Sequence, residues 1–328
     1  MAAVILRCSC GRLICSALMI ILLAVFVYFR VCFQQYNHAQ ARYLACKYPD
    51  NSTTIGGFDL YTNLLGYNTS MTPIIVIHGG PGHSSFSFKG SLNRLADTGR
   101  RVLFYDQRGS GVSQMWANGS YTVDDLTAEI DELRTTVLQS DQVIILAHSS
   151  GGAIGQKYVA TYSSHVKAAI FVGSTSPDND MTRKWVWKWL GPGLLATALG
   201  LPPSDPPAAD EWLDNETNAD DISRLYDANI NSSVLENTGP IRYSTWFSVS
   251  QSLAGTDIVA QISAVMAPVL VVWGVADNQY TGETKGFKIA ASFPNSKTAA
   301  IPKASHWPFL ENPGDFFAAV CPFLEEVE

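Results

Sequence analysis

Val143-Ile144-Ile145-Leu146-Ala147-His148-Ser149-Ser150-Gly151-Gly152 decides the fold. The apolar run Val143–Leu146 reads as a strand covered on both faces. It leads straight into Ala147-His148-Ser149-Ser150-Gly151, a small-x-Ser-x-Gly pattern. That pattern marks a sharp strand-to-helix turn that lifts one serine above a parallel sheet. Small residues are needed two before and two after the serine, because larger ones would strike neighbouring strands or the crowded turn. A helical pattern from Gly152 to about Tyr162 then aims its N-terminus, with its free amide hydrogens, at Ser149.

Outward from this stretch, strand and helix patterns alternate. Phe58-Asp-Leu-Tyr-Thr-Asn-Leu reads as an antiparallel edge strand, and Pro73–Ile77, Arg101–Tyr105, Gln142–Leu146, Val166–Val172, Val269–Trp273 and Thr298–Ile301 read as further strands. Helices are expected over Phe86–Ala96, Lys285–Phe293 and Pro313–Glu326. Another begins at Thr122, where Asp125 three residues on completes a capping box, and Leu126, Ile130, Leu133 and Val137 keep one face apolar. Such alternation implies a mostly parallel central sheet with helices on both faces. Between about Ser176 and Ser263 no core strand is legible. That interval holds Trp185, Trp187, Trp189, Trp212, Trp246 and a proline-rich stretch, and reads as a mainly helical cap. The expected layout is a core at 57–175 and 264–328 with the cap at 176–263.

A serine needs a base to take its proton and a third group to orient that base. In this arrangement the partners follow in the order acid, then histidine, each just past a strand. Asp277 closes Val269-Leu-Val-Val-Trp-Gly-Val-Ala-Asp, and His306 follows the strand ending at Ile301, so Ser149, Asp277 and His306 form the candidate triad. The oxyanion formed on attack needs two amides, one from Ser150 and one from a loop after an early strand. His78-Gly79-Gly80-Pro81-Gly82 suits that role. His78 and His83 flank the loop and shape it, His148 points the wrong way to serve as base, His165 is a surface turn residue, and His38 is stem. No cluster has metal-ligand spacing, so neither metal nor other cofactor is expected.

His78-Gly-Gly-Pro-Gly82, Asp106-Gln-Arg-Gly-Ser-Gly111 and His148-Ser-Ser-Gly-Gly152, taken in order with Asp277 and His306, resemble the proline iminopeptidase branch of the α/β-hydrolase superfamily. The resemblance implies the α/β-hydrolase fold and an aminopeptidase or amidase that works through an acyl-enzyme. It places the second oxyanion amide on Gly80 and gives Asp106 and Arg108 structural roles. One departure stands out. The family's tryptophan-rich cap motif ends in a glutamate that anchors the substrate amine, whereas Trp185-Val-Trp-Lys-Trp189-Leu-Gly carries lysine and leucine instead. Glu211, Glu216 and Glu236 are substitutes that nothing in the sequence separates. A carboxylesterase or lipase with the same triad is therefore an alternative. A non-catalytic binding module on the same scaffold is a second.

The N-terminus differs from the rest. Leu13–Phe29 is uncharged and almost wholly apolar, about 17 residues, the short end of a membrane span. With Arg7 and Arg12 before it and Arg30 after, residues 13–33 read as a transmembrane signal anchor. A tail at 1–12 precedes it and a stem at 34–56 follows. A cleaved signal peptide is the rival, with Ala39-Gln40-Ala41 lying too far past the run for easy cleavage. Asn51, Asn68, Asn118, Asn215 and Asn231 are glycosylation candidates, all beyond the span. They fit a single-pass protein whose catalytic domain is luminal or extracellular. There Cys46 and Cys321 are candidates for a disulfide. Cys8, Cys10, Cys15 and Cys32 lie in or near the span. A formal charge of −7 with no basic run excludes nucleic acid as a partner. The expected partners are a small-molecule or short-peptide substrate and, through the N-terminal helix, a membrane.

Overall fold

The computed structural model describes residues 51–67, 69–114, 121–178, 225–227, 243–277 and 282–328, with scattered positions between 19 and 27. Its frame is one eight-stranded sheet. In chain order the strands are β1 (Ser52–Ile55), β2 (Phe58–Leu65), β3 (Ile74–Ile77), β4 (Val102–Tyr105), β5 (Val143–His148), β6 (Val166–Val172), β7 (Val269–Gly274) and β8 (Ser296–Ile301). In space they run β1-β2-β4-β3-β5-β6-β7-β8. β1 with β2 and β2 with β4 pair antiparallel, and every other neighbouring pair is parallel. The strand expected at the edge is therefore second in the sheet. β1 (Ser-Thr-Thr-Ile) forms the edge and carries the core upstream of residue 57.

Alternate side chains of the central strands feed two cores. Ile75, Ile77 and Ile145 face one way, and Ile74, Val76, Ile144 and Leu146 face the other. Each such side chain removed from water stabilises the fold by about 1.5–3 kcal/mol. The first core is closed by α2 (Val123–Leu133) and α3 (Ser150–Thr161), the second by α1 (Phe86–Leu92), which follows β3, and by α7 (Pro308–Glu311) and α8 (Pro313–Glu326) near the C-terminus. α4 (Tyr243–Ala254), α5 (Val259–Ile262) and α6 (Glu283–Ser292) complete the described helices.

α2 starts at the capping box read from the sequence. Thr122 Oγ1 accepts from Asp125 N at 3.1 Å and Asp125 Oδ2 accepts from Thr122 N at 3.1 Å. The helix expected over Phe86–Ala96 is α1 followed by a 3₁₀ segment at Asn93–Thr98. Within the interval expected as cap, Val249, Leu253, Ile258 and Ile262 are buried in the first core, so the chain has already rejoined the body before residue 264. Leu225 is buried in the second.

Cys321 is a free thiol, half-buried on α8. Cys46, its partner in the expected staple, lies outside the described residues. A groove of about 300 Å³ lies beside this thiol, lined also by Arg94, Arg100 and Phe317. Among the described residues no helix is long and apolar enough to cross a membrane. Nearly all of the expected anchor at 13–33 lies outside them. Asn51 is exposed immediately before β1. Asn68, Asn118, Asn215 and Asn231, and the cap glutamates Glu211, Glu216 and Glu236, lie outside the described residues.

Candidate active site

Ser149 sits between β5 and α3 with φ 55° and ψ −127°, a conformation that costs a non-glycine residue about 1–3 kcal/mol. The neighbouring backbone over-determines it. Ser149 N donates to Val172 O at 3.1 Å, while Ser149 O accepts from Gly152 N at 3.0 Å and Thr175 N at 3.1 Å. The turn also needs bare backbone around it. A Cβ on Gly151 would lie 2.8 Å from the His78 carbonyl carbon, and one on Gly79 would lie 2.7 Å from Ser149 Cβ. So the glycine loop after β3 presses directly against the serine. Gly80, one residue on, adopts φ 112° beside His83. Ser150 opens α3, and its own Oγ is buried with no hydrogen-bond partner among the described residues.

Asp277 follows β7 and His306 follows β8. Backbone bonds join their loops, with Val275 N donating to Ile301 O at 2.9 Å and Ala276 N to Ala304 O at 2.9 Å. The side chains of both residues are buried, and His306 Nδ1 lies 3.0 Å from Asp277 Oδ2. A carboxylate accepts, so Nδ1 carries the proton and Nε2 keeps its lone pair. That Nε2 lies 3.1 Å from Ser149 Oγ. The structure thus brings together three side chains whose first and last members are 157 positions apart in the chain. All three lie beyond the carboxyl ends of parallel strands, where ligands bind in open α/β sheets.

Support for the glycine loop comes from below. His78 is fully buried, and burial lowers its basicity. Its Nε2 accepts from Gln107 N at 3.1 Å, which leaves Nδ1 as the donor to Gly79 O at 2.9 Å. Gln107 Nε2 also donates to His78 O at 2.8 Å. Asp106 accepts from Ser85 N at 2.6 Å and Val112 N at 3.0 Å. Arg108 Nε donates to Glu129 Oε2 at 2.7 Å in a buried ion pair. Asp106 and Arg108 are therefore occupied within the scaffold.

Two residues beside the site escape sequence reasoning. Glu311 on α7 accepts from Trp307 N at 2.9 Å and from Tyr226 N at 2.7 Å, joining the His306 loop to the described piece of the cap interval. His148 Nε2 lies 2.8 Å from the carbonyl oxygen of His306. The one hint in the sequence is a polar residue closing a strand that is otherwise all aliphatic. His165, as expected of a turn residue, is partly exposed before β6, where its Nδ1 contacts Asp131 Oδ1 at 2.8 Å.

The model of the α/β hydrolase fold family matches residues 72–313, most of the chain and all three of these side chains. The chain belongs to that family. Within it, this hydrolase falls in the proline iminopeptidase-like branch and is a serine hydrolase. The proline iminopeptidase of Heyndrickxia coagulans is 28% identical over 288 residues, covering 79% of this hydrolase and 93% of the relative. Solved structures share the fold. An esterase from Thermogutta terrifontis matches with a TM-score of 0.63 at 18% identity, over 84% of this hydrolase and 98% of that chain. Proline iminopeptidase from Mycobacterium smegmatis matches with a TM-score of 0.59 at 19% identity, over 84% and 98%.

Proposed function

We propose that the hydrolase is an aminopeptidase or amidase of proline iminopeptidase type that acts through an acyl-enzyme on Ser149. One observation carries the reading: the unbroken path from Ser149 Oγ through His306 to Asp277, at 3.1 and 3.0 Å. His306 Nε2 takes the hydroxyl proton as Oγ attacks the scissile carbonyl. Asp277 holds the ring and offsets the charge of the imidazolium. The Gly80 and Ser150 amides stabilise the oxyanion. His306 then returns the proton to the departing amine, and water attacks the acyl group by the same route in reverse.

A second reading, an esterase or lipase using the same residues, is favoured by one feature. Lys188 and Leu190 stand in the tryptophan-rich stretch where proline iminopeptidases carry their amine-anchoring glutamate. A panel of fluorogenic prolyl- and other aminoacyl-amides set against neutral acyl esters tests the choice. Hydrolysis of the amides is expected. Turnover of neutral esters with none of free-amine substrates would overturn the peptidase reading. A protein that fails to react with a fluorophosphonate would instead be a binding module.

The chain is further proposed to be a single-pass membrane protein with its catalytic domain luminal or extracellular. The uncharged run Leu13–Phe29 and five downstream sequons support this. In cells the full chain should resist carbonate extraction and shift in mobility after peptide-N-glycosidase. Release from membranes with no shift would refute the assignment.

A further inference from the structure

His148 is a buried imidazole that the reaction just described leaves idle. It is the last residue of β5, immediately before Ser149, and only 2% exposed. Phe88 and Phe309 meet its ring edge-on at 5.4 and 5.3 Å, Trp307 lies at 6.1 Å, and the His306 ring at 4.7 Å. Its Nε2 is 2.8 Å from the main-chain oxygen of His306. A carbonyl oxygen can only accept, so this nitrogen carries the hydrogen, and the tautomer is fixed by geometry. Burial, then the nearby His306, hold its basicity well below that of an ordinary histidine, and His83 and Asp277 are the other titratable groups around it. The ring is therefore a neutral donor.

Resting on the reading of Ser149 and His306 as nucleophile and base, we propose that His148 is a positioning residue. Its Nε2–H holds the His306 main chain and so sets how far the base stands from Ser149 Oγ. Asp277 orients the His306 ring but does not fix where its backbone sits. Glu311 holds the next amide, that of Trp307, at 2.9 Å. His148 grips the carbonyl of His306 itself, and does so from the residue adjoining the nucleophile. One residue thus places both reacting groups: its backbone leads into Ser149 and its side chain secures His306. Neutrality matters, because a second cation beside His306 would oppose formation of the imidazolium during attack.

The full chain with His148→Gln and with His148→Phe tests this. The readout is the second-order rate constant for fluorophosphonate labelling of Ser149. It is taken across pH and compared on the plateau, at a temperature where circular dichroism shows each variant folded. His148→Gln keeps a neutral N–H donor and should label within about threefold of wild type. His148→Phe keeps the ring but loses the donor and should label about 10- to 100-fold more slowly on the plateau, as expected for a base displaced by a fraction of an ångström to an ångström. If His148→Phe does not fold, His148→Leu takes its place as the donor-free variant. Equal slowing of the Gln variant and the donor-free variant would assign His148 to packing and overturn the inference, as would a donor-free variant within twofold of wild type. A wild-type protein that does not label would overturn the hydrolytic reading and this inference together.

Discussion

In the proposed reaction Ser149 is the nucleophile, and the fold draws on its main chain rather than on its hydroxyl. Its side chain reaches His306, while its strained backbone is held by main-chain bonds to Val172, Gly152 and Thr175. Ser149→Ala should therefore leave the thermal midpoint nearly unchanged while abolishing fluorophosphonate labelling. Hydrolysis should fall by about 10⁴- to 10⁶-fold, judged against what losing a nucleophile costs other serine hydrolases. Residual labelling at the wild-type rate would place the nucleophile elsewhere. At this scale the sequence is uneven in what it discloses. Ser149, Asp277 and His306 are legible because each follows a strand pattern, in the order such chemistry requires. His148 and Glu311 are not, because their partners are main-chain atoms far away in the chain, and no side-chain pattern marks a backbone acceptor.

Among the elements, the loop after β4 and helix α2 meet at the Arg108–Glu129 pair. Burial pushes the Glu129 carboxyl up to about 7 from an ordinary 4.5, with Arg108 only partly opposing the shift. The folded state thus holds this proton more tightly than the unfolded chain. The stability this gives is complete below about pH 4.5 and is lost as pH rises to about 7, on the order of 2–3 kcal/mol. Glu129→Gln removes the titration. Relative to wild type, its melting temperature should improve steadily from pH 4.5 to 7 and then level off. A constant difference across that range would show that Glu129 is ionised throughout. Element boundaries follow the same physics as their legibility. β3 is an unbroken aliphatic run, β5 opens with Val143–Ala147 and β7 with Val269–Val272, and all three strands are wholly buried, so they read cleanly. β1 is a short polar run whose place depends on pairing with β2, and periodicity does not announce it. β8 has only Ile301 fully buried, which explains why only its end is apparent in the sequence.

On the scale of the whole molecule, Arg100 ties the lower rim of the sheet to the last helix. Its guanidinium is buried and donates to Leu324 O at 2.7 Å and Glu328 Oε2 at 2.8 Å. This lies at the entry to β4, the opposite rim from Ser149. Arg100→Leu should cost about 2 kcal/mol through the abandoned carbonyl and carboxylate, seen as a lower midpoint in urea. Labelling of Ser149 well below that midpoint should be unaffected. Slower labelling in the folded variant would mean that the two rims communicate.

β6 and β7 lie side by side through Ala169–Val172 and Val269–Val272, although the whole insertion separates them in the chain. The covalent link between these strands is therefore not what aligns them. Two polypeptides divided within residues 179–224, made together in one cell, should find each other along that seam and recover the chemistry of the intact enzyme. The same halves expressed alone would be inert, since the hydroxyl travels with one and the imidazole with the other.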